Sequence, residues 1–191
     1  CLKSINSEVK VILVENSNNI KFKENIEKEF DNVDCILTGE NLGYGSANNI
    51  GLSKTLTKYA LILNPDARLD SSTLKFFFEA TEKISDFSII APYNQNENDY
   101  YKTSTSTNNK PISVKNVKGF AMFFNMSQFE NIGFFDENFF IYFETMDLSK
   151  RLINKKIKLY ACPELTFDHY GGQSHDKIYN LQAKMSRNWH Y

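Results

Sequence analysis

The stretch Tyr59–Asp70, YALILNPDARLD, decides the fold prediction. Its apolar run Ala60–Leu63 predicts a buried strand of a parallel sheet. The strand must stop at Asn64-Pro65-Asp66, because proline has no N–H for a ladder. Asp66 then lies at the carboxyl end of a central strand, where open α/β sheets bind ligands. One carboxylate there suits a hard cation that also binds substrate phosphates, although the tripeptide alone is equally typical of a polar turn.

Length and composition describe one ordinary globular domain. The chain has 191 residues, of which 41% are hydrophobic and 24% charged, enough for one core. A net charge of −1 argues against nucleic-acid binding through general electrostatics. The hydropathy pattern predicts neither a transmembrane helix nor a signal peptide. Three widely spaced cysteines predict reduced thiols in the cytoplasm.

Short apolar runs alternate with amphipathic segments in the first half of the chain. Strands are predicted at 10–14, 33–37, 60–63 and 87–91, and helices at 20–30, from the glycines of 41–51 to about 57, and after 70. This order predicts a doubly wound α/β sheet. The second half is predicted to contain a polar segment over 94–110, two apolar runs within 112–125, an aromatic loop over 133–140, a helix over 144–154, a strand over 156–161, an extended piece over 166–170 and a helix over 175–189.

Gly43-Tyr44-Gly45 is not a dinucleotide-binding fingerprint. The fingerprint needs a third glycine where Asn48 stands. The glycines instead indicate a tight turn and a close approach of the backbone. Asn41 and Asn49 flank them, and their side chains would either contact a ligand or cap the helix.

Two carboxylates and one histidine are further candidates for chemistry. Glu144 and Asp147 are three residues apart on a predicted helix and therefore share a face. Beside an aromatic loop, such carboxylates suit a general base, but acids at a helix start are also favoured by the helix dipole. His169 would either complete a metal site with Asp66 or serve a structural role.

Seven motifs occur in the order and spacing of one known family. They are ENSNN (15–19), NLGYGSANNIG (41–51), LNPDARL (63–69), VKGFAMFF (117–124), IGFFDENFFIYFE (132–144), MDLSKRL (146–152) and PELTFDHYGGQS (163–174). The chain resembles inverting family 2 glycosyltransferases, particularly the rhamnosyltransferase-like branch of bacterial polysaccharide synthesis. The resemblance covers essentially the whole chain. It implies an α/β fold of GT-A type, Rossmann-like, with a mostly parallel central sheet flanked by helices.

The resemblance also implies roles for individual residues. Those implied to bind the nucleotide sugar are Glu15, Asn16, Asn41, Gly43, Asn49, Asn64 and Asp66. Asp66 and His169 are implied to hold a Mg²⁺ or Mn²⁺ ion on the diphosphate. Those implied to bind the acceptor are Gly119, Phe139 and Tyr142. Glu144 and Asp147 are the implied catalytic carboxylates.

The implied activity is the transfer of a sugar, with inversion, from a nucleoside-diphosphate donor to a lipid-linked or polysaccharide acceptor. The resemblance favours dTDP-rhamnose as donor, and a location in the cytoplasm or peripherally on the inner face of a bacterial membrane. We expect one domain over 1–191, with a nucleotide-sugar-binding half at 1–93 and an acceptor-binding half at 94–191. The alternatives are a catalytically impaired nucleotide-sugar-binding domain and a metal-dependent nucleotidyltransferase.

The sequence departs from the family pattern in two places. The family helix begins with two acids, any residue and aspartate, whereas Thr145 stands here at the second position. A threonine hydroxyl is no base near neutral pH, so Glu144 or Asp147 substitutes, the enzyme is impaired, or the residue was altered. The first strand of the family is also not found in these residues, so we expect a sheet without it and a domain truncated at both ends.

Overall fold

A computed structural model of the protein describes residues 1–92, 111–163, 165 and 167–169. Within these ranges the chain forms two compact units. The sheet unit comprises 1–4, 57–92, 111–133 and the described residues from 145 onward, and the loop unit comprises 5–56 and 134–144. The predicted boundary at residue 93 concerned binding roles rather than compactness, and it stays a prediction.

The described elements are nine strands and four α-helices. The strands are β1 Val11–Glu15, β2 Val33–Leu37, β3 Tyr59–Leu63, β4 Ala67–Leu69, β5 Phe87–Pro92, β6 Ile112–Val114, β7 Ala121–Asn125, β8 Lys158–Cys162 and β9 Phe167–His169. The helices are α1 Ile20–Glu29, α2 Tyr44–Ser53, α3 Thr73–Lys83 and α4 Glu144–Asn154. Most predicted elements are confirmed, but α2 ends four residues earlier than predicted. A 3₁₀ turn, Leu2–Ser4, precedes β1. The predicted polar segment over 94–110 and the predicted helix over 175–189 lie outside the described residues. No described helix has the length and apolar character needed to cross a bilayer.

The loop unit is built on the parallel pair β1–β2. Helix α1 packs against β2, and α2 packs against β1. The Glu27 carboxylate accepts the backbone N–H of Cys35 at 2.8 Å and pairs with the Lys23 ammonium at 2.7 Å. The hydrogen bond from Lys23 lowers the pKa of Glu27, and burial raises the pKa of the Cys35 thiol. These contacts connect α1 to β2, the strand that pairs with β1.

The sheet unit contains a five-stranded sheet in the order β3-β7-β5-β8-β6. Every residue of β5 and β7 is buried, so these strands form the centre of the core. The ring of Phe123 on β7 stacks on Phe77 of α3 at 4.8 Å and on Tyr59 of β3 at 5.1 Å between centroids. Stacked aromatic rings bury much apolar surface and add to the stability of the core. This core holds β3 and therefore the turn that follows it.

The prediction that Ala60–Leu63 is a buried, central strand of a parallel sheet is wrong. Strand β3 pairs antiparallel with β7, with Leu63 opposite Ala121, and it stands at one end of the strand order. Four of its five residues are only half-buried. In the described sheet, β5–β8 is the parallel pair, whereas β3–β7, β5–β7 and β6–β8 are antiparallel. An apolar run reports burial but not strand direction, and the wholly buried β7 takes the central place.

Strand β4 was not predicted, because a three-residue strand carries almost no periodic signal. It pairs antiparallel with β9, with Ala67 opposite His169. Its far end is held by Ser4, whose hydroxyl oxygen accepts the Leu69 N–H at 3.0 Å. The pairing of β4 with β9 brings the backbone of His169 next to Ala67, the residue that follows Asp66.

Candidate active site

The turn Asn64-Pro65-Asp66 connects β3 to β4. The Asn64 N–H donates to the Phe120 carbonyl at 2.8 Å, and the Ala67 N–H donates to the Asn64 carbonyl at 3.0 Å. The proline ends the strand as predicted, since it cannot donate to a ladder. Two short ladders therefore fix the backbone of Asp66 from both sides.

Asp66 and His169, the two predicted metal ligands, belong to the same corner of the sheet unit. The backbone of His169 is paired with Ala67, the residue that follows Asp66. Asp66 is half-buried. Its Oδ1 atom is buried and is reached by no hydrogen-bond donor of the described residues, although the residue takes part in other interactions. A buried carboxylate oxygen is a ligand type that Mg²⁺ and Mn²⁺ prefer.

The described residues contain no group of three or more His, Cys, Asp or Glu side chains able to enclose a metal ion. Mg²⁺ is typically bound through one or two carboxylates and the phosphates of its substrate, and Asp66 supplies one such carboxylate. The residues present fit an ion that arrives with a diphosphate.

Lys118 and Gly119 precede Phe120, whose carbonyl accepts the Asn64 N–H, so this segment lies beside the turn. Both residues are half-buried, and burial lowers the pKa of the Lys118 ammonium. Gly119 was predicted to bind the acceptor, and that role stays a prediction. Lys118 was not singled out, although a lysine at the break between two apolar runs was the signal that could have identified it.

The predicted nucleotide-binding residues Glu15, Asn16, Asn41 and Gly43 come together at the carboxyl end of β1. The Asn16 amide donates to the Asn41 side-chain oxygen at 3.0 Å and to the Gly43 carbonyl at 3.1 Å. The Asn41 side-chain oxygen also accepts the Gly43 N–H at 3.0 Å, and the Glu15 carboxylate accepts the Ser17 hydroxyl. These contacts shape a polar end of the strand in the loop unit. Their role toward a nucleotide remains a prediction.

Asn49 contacts the aromatic loop, which we define as residues 134–143. Its Oδ1 accepts the Phe135 N–H at 3.0 Å, and its Nδ2 donates to the Phe135 carbonyl and to the Glu137 carboxylate, both at 2.9 Å. The sequence offered a ligand contact or a helix cap for this residue. Helix α2 instead begins after Gly43 without a side-chain cap. Asn49 therefore binds the backbone of a segment 86 residues further along the chain.

A second attachment joins the start of α2 to Phe140. The Tyr44 N–H donates to the Phe140 carbonyl at 2.9 Å, and the Tyr44 ring meets the Phe135 ring edge-on at 5.9 Å. Burial, reinforced by the negative charge of Glu144, raises the pKa of Tyr44, so its hydroxyl is neutral at any physiological pH. The aromatic loop is thus held by α2 near both of its ends.

We expect Gly43→Ala to destabilise the protein by at least about 2 kcal/mol. The φ angle of Gly43 is +85°, and a Cβ added there would lie 2.1 Å from the Phe140 carbonyl oxygen. Gly39→Ala is the matched control, because Gly39 has φ +87° with no atom within 4 Å of an added Cβ; it should lose only about 1–2 kcal/mol. Urea unfolding of both variants measures the difference. Equal losses would show that the approach of Phe140 does not constrain position 43.

The last residues of the aromatic loop adopt an unusual backbone conformation. Tyr142 and Phe143 have φ angles of 65° and 67°, a left-handed conformation that costs non-glycine residues about 1–2 kcal/mol each. Such strain is concentrated at functional sites. Phe139, predicted to bind the acceptor, is only 5% exposed, so little of it is accessible in this conformation, whereas Tyr142 is half-buried. The acceptor roles of both residues stay predictions.

Glu144 follows this strained pair directly and begins α4. It is only 7% exposed. Its Oε2 atom is buried and receives no hydrogen bond from the described residues, although Glu144 takes part in other interactions. Its role as the general base stays a prediction.

Asp147, the other candidate base, has a different environment. Its Oδ2 accepts the Arg151 Nε–H at 2.7 Å, and the same guanidinium donates to the Ile132 carbonyl at 3.0 Å. Thr145 is 7% exposed, and its carbonyl accepts the Ser149 hydroxyl at 2.8 Å. The structure gives Asp147 a contact with Arg151, and the assignment of the base to Glu144 or Asp147 stays a prediction.

The fold, a central sheet flanked by helices, matches that of solved glycosyltransferases. A structure of GalNAc-T7 with UDP, GalNAc and Mn²⁺ superposes with a TM-score of 0.69 at 14% identity, over 88% of this chain and 39% of that one. The mannosyltransferase PcManGT from Pyrobaculum calidifontis, with GDP-Man and Mn²⁺, gives 0.66 at 12% identity, over 93% and 52%. S. aureus TarS 1–349 with UDP gives 0.59 at 13% identity, over 95% and 57%. At these identities the likeness establishes the fold, and the architecture is that of a GT-A-like glycosyltransferase.

Sequence comparison then gives the family. The profile described as Glycosyl transferase family 2 matches residues 1–156, and the chain belongs to this family. The low-salt glycan biosynthesis hexosyltransferase Agl10 of Haloferax volcanii is 24% identical over 182 residues, which covers 83% of this chain and 58% of that protein. The chain thus spans little more than half the length of this relative.

Proposed function

We propose that this glycosyltransferase moves a sugar, with inversion, from a nucleoside-diphosphate donor to a glycan acceptor in bacterial surface polysaccharide synthesis. Membership of family 2 supports transfer. The motif resemblance to the rhamnosyltransferase-like branch supports dTDP-rhamnose as donor. The observation that carries the proposal is the corner of the sheet unit where the Asp66 turn and the backbone of His169 lie side by side.

Donor binding is assigned to two groups of residues. The polar cluster at the end of β1, around Asn16 and Asn41, binds the nucleotide. Asp66 and His169 hold Mg²⁺ or Mn²⁺, and two solved structures that share this fold contain Mn²⁺. The ion, when bound, stabilises the negative charge that develops on the departing diphosphate. Lys118, which lies beside the same turn, supplies a further positive charge.

Glu144 takes the proton of the acceptor hydroxyl. The hydroxyl oxygen then forms a bond to the sugar C1 from the face opposite the diphosphate. The bond from C1 to the diphosphate oxygen breaks, and its electron pair leaves with the diphosphate, so the anomeric centre is inverted. Tyr142 and Gly119 are assigned to the acceptor. Resemblance to the family branch supports a lipid-linked or polysaccharide acceptor. It also supports a location in the cytoplasm or peripherally on the inner face of the membrane.

A second candidate is a nucleotide-sugar-binding domain without turnover. Thr145 favours it, because a hydroxyl at the position of the usual base cannot accept the proton. The two candidates share donor binding and differ only in catalysis. Release of nucleoside diphosphate from the bound donor, with and without a glycan acceptor, separates them.

A thermal-shift screen of nucleotide sugars tests donor binding. The panel contains dTDP-rhamnose, UDP-sugars and GDP-sugars, each with Mn²⁺ and with EDTA. Since a ligand that binds only the folded state stabilises it by about 2.7 kcal/mol at a hundred times its Kd, the cognate donor should raise Tm in Mn²⁺ and not in EDTA. Unchanged Tm with every nucleotide sugar in Mn²⁺ would contradict the proposal.

A further inference from the structure

We propose that Asn49 is a positioning residue, which holds the aromatic loop and through it aims the carboxylate of Glu144. The inference rests on the proposed function, because it assumes that Glu144 is the base. It assigns to Asn49 a role other than the nucleotide-sugar contact that the sequence suggested. The role is argued from contacts within the loop unit.

The Asn49 side chain hydrogen-bonds both backbone groups of one loop residue, Phe135. The side chain accepts from the N–H and donates to the carbonyl of Phe135, at 3.0 and 2.9 Å. The same Nδ2 donates to the Glu137 carboxylate at 2.9 Å. A side-chain amide that satisfies both polar groups of one residue replaces a backbone ladder, which this irregular segment lacks. Among side-chain amides, only the longer glutamine carries the same donor and acceptor pair.

The loop cannot relax between this grip and Glu144. Its second attachment is at Phe140, where the backbone of Tyr44 donates at 2.9 Å. Three residues separate Phe140 from Glu144, and two of them, Tyr142 and Phe143, are held in left-handed conformations. Strained residues persist only where the surrounding structure over-determines them. The direction in which Glu144 leaves the loop therefore depends on both attachments.

A general base works only within hydrogen-bond reach of the proton that it takes. A displacement of about 1 Å is enough to cost about 100-fold in rate. Loosening the loop at Phe135 should therefore lower kcat, while the donor, bound elsewhere, keeps its KM. If Asn49 instead contacted the donor directly, its substitution should raise the donor KM and leave kcat nearly unchanged.

The test compares transfer kinetics of Asn49→Asp, Asn49→Ala and the double variant Asn49→Asp/Glu137→Gln with wild type. Asn49→Asp keeps an acceptor for the Phe135 N–H but places a carboxylate oxygen against the Glu137 carboxylate. Glu137→Gln restores a donor–acceptor pair there. We expect both single variants to lower kcat about 10- to 100-fold, with the donor KM within about twofold of wild type. The double variant should recover part of the lost kcat.

If Asn49→Asp does not fold, the comparison of Asn49→Ala with wild type tests the inference. Asn25→Ala, an exposed asparagine on α1, is the matched control and should leave both constants unchanged.

Hydrogen exchange of the amides of residues 135–143 gives a readout independent of turnover. Faster exchange in Asn49→Ala, with other amides unchanged, supports the grip. Exchange as slow as in wild type, or a loss confined to donor KM, overturns the inference. If the wild-type chain neither transfers sugar nor hydrolyses donor, the proposed function and the catalytic role of Asn49 both fall. A failure of this inference alone instead shows as normal wild-type transfer with an unchanged kcat in Asn49→Ala.

Discussion

Replacing Glu144 by glutamine is expected to lower the rate of sugar transfer about 10²–10⁴-fold, the usual contribution of a general base. Glutamine keeps the shape of the side chain but cannot accept the acceptor's proton. Because Glu144 is only 7% exposed, the rates are normalised to the folded fraction of each variant. Single-turnover transfer at saturating donor measures the chemical step.

Asp147→Asn is the matched control for this substitution. It weakens the contact of Asp147 with Arg151, which joins α4 to the Ile132 carbonyl. An ion pair between partly exposed residues contributes little to stability, and we expect less than about a tenfold change in rate. A larger loss of rate in Asp147→Asn than in Glu144→Gln would contradict the account and make Asp147, not Glu144, the base.

Thr145→Asp provides a gain-of-function test of the same geometry. It restores an acid where the family has its second one, and we expect faster transfer per folded molecule. Because Thr145 is 7% exposed, burying a carboxylate there will also cost stability, so rates must be normalised to the folded fraction. Unchanged or slower turnover would count against the placement of the catalytic carboxylates at the start of α4.

Asp66→Ala is expected to abolish Mn²⁺-dependent donor binding. The substitution removes the one carboxylate of the β3–β4 turn, and the remaining His169 cannot replace an oxygen ligand for a hard cation. Asp34→Ala, which removes an exposed carboxylate from β2, is the control and should bind donor as wild type does. Circular dichroism shows whether the variants are folded, because an alanine at a turn leaves both ladders in place. Undiminished donor affinity in Asp66→Ala would refute Asp66 as the ligand.

The architecture was largely predictable because its elements carry strong local signals. The apolar runs of β1, β2 and β5 predict strands, and the amphipathic stripe of α3 predicts a helix. Strand direction was not predictable, since pairing between distant segments decides it, and so β3 was wrongly placed in a parallel sheet. Strand β4 escaped prediction because three residues carry no period.

The candidate site shows the same division between local and distant information. The strand stop at Pro65 directed attention to Asp66 from local chemistry alone. The pairing of Ala67 with His169, which brings that histidine's backbone to the same turn, depends on residues a hundred positions apart. The contact of Asn49 was the hardest to predict, because a side-chain amide that hydrogen-bonds the Phe135 backbone leaves no pattern in the sequence. The surroundings of Glu144 and Asp147, including the contact of Asp147 with Arg151, likewise became known only from the structure.

Calorimetric titration of the nucleotide sugar into the wild-type chain and into Asp66→Ala, each with Mn²⁺ and with EDTA, tests the central claim most directly. The claim is that the turn after β3 holds a divalent ion together with the donor diphosphate. We predict saturable binding only for wild type in Mn²⁺, with no measurable heat in the other three titrations. Equal affinity of both proteins for the donor in Mn²⁺, or wild-type binding that is unaffected by EDTA, would contradict it.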